Sequence, residues 1–230
     1  MPDQLDAKAT IKRAVKLGLL AAGSFYRLTG TRILTYHSVG TRRHDMNVTP
    51  KAFRAQMEWL AKHRRVVGLT ESLDQIDTVA ITFDDGYQDN LINAAPVLKE
   101  FNLPATFFIT AGRAGEMLDH DHDITTSRLM SWYELAELSA MGFAIGAHTL
   151  AHRRLSTLSE AEQRQEILES ADILESRLGC SVDTFAYPFG SAADYNETSV
   201  KIARERFACA VTNRYGVNPE EADRWTLKRI

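Results

Sequence analysis

From Arg32 onward the apolar positions alternate between two patterns. Ile33 to Val39 and Val79-Ala80-Ile81-Thr82-Phe83 are short runs rich in apolar and β-branched residues, as expected of buried strands. Similar runs cover Ala105 to Thr110, Phe143 to Ala147, Val182 to Tyr187 and Ala208 to Thr212. Helical spacing fills the gaps. Thr49 caps a helix with Pro50 at its first position, and Phe53, Met57 and Leu60 line one face. Leu91 to Phe101 is a second helix. Ser131 with Glu134 is a capping-box signature for a third, which stops at Gly142. Ser159 with Glu162 opens a long helix that ends near Gly179. Gly112 to Arg128 is a polar loop. Strand-then-helix repetition of this kind predicts an α/β fold with a parallel sheet closed, or nearly closed, into a barrel.

The first 31 residues differ. Ile11, Val15, Leu19, Ala22 and Tyr26 recur at helical spacing, with Lys8, Lys12 and Lys16 as a basic stripe. The uncharged run from Leu17 to Tyr26 is shorter than the roughly 20 residues a bilayer span needs. The expectation is an amphipathic helix over 1–31. It either packs on the domain at 32–230 or makes a peripheral membrane contact through its basic and apolar faces. With no convincing export signal the expected compartment is the cytoplasm, at a membrane surface if that helix binds one, with export left open.

Bulk properties narrow the function classes. The chain has 230 residues, 44% hydrophobic and 25% charged, enough for one domain with a full core. A net charge of −3 argues against a nucleic-acid partner. Cys180 and Cys209 form no CxxC pattern, and two apolar, free thiols are the expectation.

Candidate chemistry gathers where predicted strands end. Asp84 and Asp85 follow one strand, His148 another, and Tyr187-Pro188-Phe189-Gly190 a third. In parallel barrels the C-terminal strand ends share one face, so three separate segments place reactive groups together. His148 and His152 at i and i+4 suit a divalent ion, and a carboxylate would complete a three-ligand site open to water. One aspartate can bind the ion while its neighbour takes the proton from water. DDG alone is an ordinary turn sequence, and HxxxH alone is more often a surface pair. His44, His120 and His122 read as solvated loop residues. The cluster Asp119, His120, Asp121, His122 and Asp123 could hold a second cation, though such loops ordinarily stay unliganded.

These motifs resemble the polysaccharide deacetylases with a NodB-homology domain, carbohydrate esterase family 4. The match runs through Thr82-Phe83-Asp84-Asp85-Gly86, His148-Thr149-x-x-His152 and Phe185-Ala186-Tyr187-Pro188-Phe189-Gly190, and spans about 32–230. The resemblance implies a distorted (β/α) barrel, a divalent metal and removal of N-acetyl groups from a glycan. It makes Asp84 the general base and Asp85, His148 and His152 the metal ligands. Zinc is the first expectation for the metal, with cobalt, nickel or iron as alternatives. It further makes the Tyr187 N–H an oxyanion donor, typically worth about 2.7–4 kcal/mol. Pro188 and Phe189 would line the acetyl pocket. Trp132, at a helix start, would rim the sugar cleft unless it packs in the core.

The chain departs from the family pattern twice. Ala186 stands where many members carry an arginine that orients the base, and Arg229 is the expected substitute. The late Leu-x-His that supplies a general acid is missing before Lys228-Arg229-Ile230. Leu34-Thr35-Tyr36-His37-Ser38-Val39 resembles the opening strand of the circularly permuted poly-N-acetylglucosamine deacetylase subgroup, which makes His37 the expected acid. Two further readings stay open. The same groups could hydrolyse another amide or an O-acetyl ester, or the chain could be an inactive glycan-binding module. The retained Asp84 argues against the second.

Overall fold

The computed structural model describes residues 29–41, 46–118 and 127–230. The expected N-terminal helix, His44 and the Asp119–Asp123 cluster therefore lie outside the described residues, apart from 29–31 at the end of the first.

Eight parallel strands form one sheet. They are β1 (Arg32–Tyr36), β2 (Arg65–Val66), β3 (Thr78–Phe83), β4 (Thr106–Ile109), β5 (Ala144–Ala147), β6 (Thr184–Ala186), β7 (Cys209–Tyr215) and β8 (Leu227–Arg229). Their order is β1-β3-β4-β5-β6-β7-β8, with β2 paired to the start of β3. The ring then closes. Thr35 N–H donates to Ile230 O at 3.0 Å, and Ile230 N–H donates to Ile33 O at 2.8 Å. The result is the nearly closed (β/α) barrel expected of the sequence.

Around it run α1 (Pro50–His63), α2 (Ala95–Glu100), α3 (Trp132–Ala140), α4 (Glu160–Arg164), α5 (Ser170–Leu178) and α6 (Glu197–Arg206). Local signals set several boundaries. Thr49 accepts from Ala52 N–H, and both expected capping boxes are present. Phe53, Met57 and Leu60 are the buried positions of α1. Gly179 ends α5 in the left-handed conformation.

Two expected helices are irregular. The 91–101 helix begins as a π turn, Asn90–Ala94. Pro96 has no N–H to continue an ordinary ladder, which accounts for the break. The long helix after Ser159 holds a second π turn, Gln165–Glu169, between α4 and α5. The expected strand 33–39 is also broken. His37 leaves the sheet after β1, and Ser38–Val39 pairs instead with Asn47–Val48. The 112–128 loop contains a short antiparallel pair, Met117–Leu118 with Ser127–Arg128.

Pleating assigns each strand residue a side. In β3, Val79, Ile81 and Phe83 pack outward under the helices, where Phe83 stacks on Phe107 at 4.5 Å. Ala80 faces inward with Ile33, Phe108, Ala186, Cys209, Val211 and Leu227, which together fill the barrel. Continuing that alternation puts Thr82 and then Asp84 on the interior side, at the mouth. Leu227 and Arg229 alternate likewise on β8. Both cysteines are free; Cys209 is buried, and burial pushes its thiol up to about 12.

Candidate active site

The barrel mouth collects the segments that follow β1, β3, β5 and β6, together with the last residue of β8. Asp85, two residues beyond β3, sits in the left-handed region, which aspartate tolerates better than most residues. His148 and His152 flank a tight turn. Their Nε2 atoms each lie 3.4 Å from Asp85 Oδ1. One ligand atom from each of the three residues falls within 4.8 Å of the others. His148 Nδ1 meets Ala186 O at 2.8 Å; donated to that carbonyl, it leaves Nε2 as the lone pair facing the cluster. Two imidazole nitrogens and a carboxylate fit a divalent ion of the zinc class, with room left in its coordination shell.

Asp84 is turned away from this trio toward Arg229. The guanidinium grips the carboxylate at both oxygens, Nη1 to Oδ1 at 2.7 Å and Nη2 to Oδ2 at 2.6 Å. Both side chains are 1% exposed. Burial alone would raise the Asp84 carboxyl. The charge and hydrogen bonds of Arg229, with smaller help from His148 and His37, more than reverse this and hold it below the usual carboxylate range. Arg229 is itself fixed by Thr212 O at 2.8 Å and Asn213 Oδ1 at 2.6 Å. The guanidinium missing at Ala186 thus arrives from β8, as expected.

The same balance acts on the ligand cluster. Burial would raise Asp85, but the close approach of His148 and the charges of His37 and His152 hold it far below the carboxylate range. Burial disfavours a charged His148, and the two carboxylates, Asp85 foremost, reverse that and raise it.

His37 Nε2 lies 3.9 Å from Asp84 Oδ2, too far for a hydrogen bond but close enough to share one small substrate group. Its segment is held from behind. Asn90 Nδ2 donates to His37 O at 2.7 Å, and Asp89 Oδ1 accepts from Val39 N–H at 3.2 Å. Sequence reading missed both holders. Their one signal was position, just after the Asp-Asp-Gly turn.

Backbone strain concentrates at this mouth. Six non-glycine residues among those described have positive φ, and four of them are Asp85, Thr149, His152 and Phe189. Each costs about 1–3 kcal/mol and persists only where its surroundings over-determine it. Gly190 closes the β6 turn at φ 67, where a Cβ would come within 2.5 Å of Asn213 N.

One expected role needs correction. Tyr187 N–H donates to Val211 O at 3.1 Å, and its hydroxyl donates to Trp225 O at 3.0 Å. The N–H is spent in the sheet, so it is not an oxyanion donor. Trp132 is partly buried and packs against the hydrophobic core, with Arg177 of α5 across its ring at 5.4 Å. Phe189 is half-exposed, and its ring centroid lies 4.8 Å from that of His152. Pro188 is buried beside it.

A family model described as polysaccharide deacetylase matches residues 74–206, more than half of the chain. The chain belongs to the polysaccharide deacetylase family. Among this family's members, YxkH of Bacillus subtilis, whose name assigns it provisionally to the polysaccharide deacetylases, is 28% identical over 86% of this chain and 70% of its own. A poly-beta-1,6-N-acetyl-D-glucosamine N-deacetylase of Staphylococcus aureus is 28% identical over 78% of this chain. The match covers 66% of that enzyme, just under two thirds of its length. The structure of IcaB from Ammonifex degensii superposes with a TM-score of 0.76 at 27% identity, covering 87% of this chain and 91% of that one. The superposition shows that this chain and IcaB share the barrel.

Proposed function

We propose that the chain is a metal-dependent hydrolase that removes acetyl groups from N-acetylhexosamine units of a glycan. The observation that carries this reading is the pairing of two sites at one mouth: the Asp85-His148-His152 cluster, and Asp84 clamped by Arg229. The activity named for the staphylococcal relative supports the substrate class.

A divalent ion bound by Asp85, His148 and His152 would supply Lewis acidity, lowering the pKa of water and polarising the acetamide carbonyl. Asp84, kept ionised by Arg229, takes the proton as water oxygen bonds to the carbonyl carbon. Negative charge then builds on the former carbonyl oxygen. Pro188 has no N–H, Tyr187 has spent its own, and Gly190 N–H donates to Pro188 O at 2.7 Å. Phe189 N–H is the donor this turn has left to offer that oxygen. Its ring and Pro188 shape the pocket for the methyl group. His37 donates a proton to the nitrogen as the C–N bond breaks, giving acetate and a free amine.

The test is acetate release from N-acetylglucosamine oligomers by metal-stripped and metal-reconstituted protein. Chelation is expected to abolish release, and zinc or cobalt to restore it. Stoichiometric metal binding without release from any oligomer would turn attention to another amide, an O-acetyl ester or a glycan-binding role.

His37→Ala is expected to lower kcat by about 10²–10⁴-fold. Near-normal turnover would remove His37 from the mechanism.

A further inference from the structure

The turn that carries both histidine ligands is strained, and one buried side chain outside the metal cluster holds its centre. Thr149 and His152 adopt φ of 62° and 57°. A β-branched residue rarely stays there unaided. The outer half of the turn is held by the neighbouring β4 loop. Ala111 N–H donates to Thr149 O at 3.1 Å, and Gly112 N–H donates to Leu150 O at 2.9 Å. Only glycine fits at 112, because a Cβ there would lie 2.7 Å from Leu150 O. Inside the turn, His152 N–H donates to Thr149 Oγ1 at 3.0 Å.

The N–H groups of Leu150 and Ala151 converge on a single oxygen. Glu166 Oε2 accepts both, at 3.0 and 2.9 Å. Glu166 is 5% exposed, and the Arg153 guanidinium lies 3.9 Å from its other oxygen. It stands on the π turn Gln165–Glu169. A π turn winds in an extra residue, which changes the direction in which following side chains point. The irregularity in the long helix thereby gains a purpose.

We infer that Glu166 is a positioning residue for the metal centre: its carboxylate fixes the Leu150–Ala151 backbone and so sets the spacing of His148 and His152. Its metal arm rests on the proposed metal reading; its backbone arm does not. A group that orients ligands in this way ordinarily changes metal affinity by about 10–100-fold.

The experiment compares wild type with Glu166→Ala, Glu166→Asp and Glu166→Gln, and uses the exposed Glu169→Ala as control. Amide hydrogen exchange in metal-free protein should be at least tenfold faster at Leu150 and Ala151 in Glu166→Ala, with β5 and α5 unchanged. Zinc titration should show affinity weakened about 10–100-fold. Glu166→Asp keeps the carboxylate but shortens the reach, so it should behave like the alanine variant. Glu166→Gln keeps an acceptor oxygen at full reach and should stay within a fewfold of wild type. The aspartate variant decides the matter if the alanine variant does not fold. Wild-type exchange at the two amides, or unchanged zinc affinity, in Glu166→Asp would overturn the inference. If wild type binds no zinc, the metal reading fails, and the exchange rates still decide whether Glu166 holds the turn.

Discussion

Replacing Arg229 by methionine is expected to give a weakened protein that loses activity on the acid side. Arg229 and Asp84 are both almost fully buried and joined by a two-pronged contact. Removing one partner of such a pair leaves an uncompensated buried charge, at a cost of about 3–5 kcal/mol. Thr212 O and Asn213 Oδ1 lose their donor at the same time. Denaturant unfolding at neutral pH measures the loss. The pH dependence follows from the balance at Asp84. With Arg229 gone, burial dominates and the carboxyl rises. The base is then protonated over a wider range, so the acid limb of kcat/KM moves to higher pH. In wild type the sign is the reverse. A carboxylate held low in the fold stabilises fully above its unfolded value, about 3.9, and that contribution fades only as pH falls through the lower folded value. Arg229→Lys keeps charge without the planar fork and should fall between. An acid limb that stayed in place in Arg229→Met would show that this pair does not tune the base.

Asp84→Asn is expected to reduce kcat by about 10²–10⁴-fold while leaving metal stoichiometry intact. Asparagine keeps the shape but cannot accept the proton from water. Asp85, His148 and His152 are untouched, so metal content by atomic emission should match wild type. Stability should also drop, since Arg229 keeps its charge without a counterion. The double variant Asp84→Asn/Arg229→Met should be less destabilised than the two single losses summed, because each already removes the same contact. Full acetate release by Asp84→Asn would exclude Asp84 as the base.

How much of this was legible in the sequence depended on range. Caps are local, so Thr49, Ser131 and Ser159 announced their helices correctly. The α6 helix has an equally good box, Asn196 with Ser199, but mixed polarity hid it. The three-residue β8 is too short for a period, and Arg229 was legible only because the family pattern left Asp84 without a partner. The π turns carry no residue pattern of their own, so Glu166 passed for an ordinary helix-face charge. The Tyr187 error has another cause. Whether a backbone N–H is available depends on its neighbour across the sheet, here Val211, 24 positions later, and side-chain types do not record that pairing.

The closing seam between β8 and β1 has a consequence for how activity appears during folding. Asp84 and Arg229 stand 145 positions apart, and the contact joining them forms only when the ring shuts. Until then Asp84 has no counter-charge and the mouth has no far wall. Such distant closure is slow to search and is reached late. Catalytic competence should therefore switch on in one step with the last docking event, rather than growing in proportion to the secondary structure already formed.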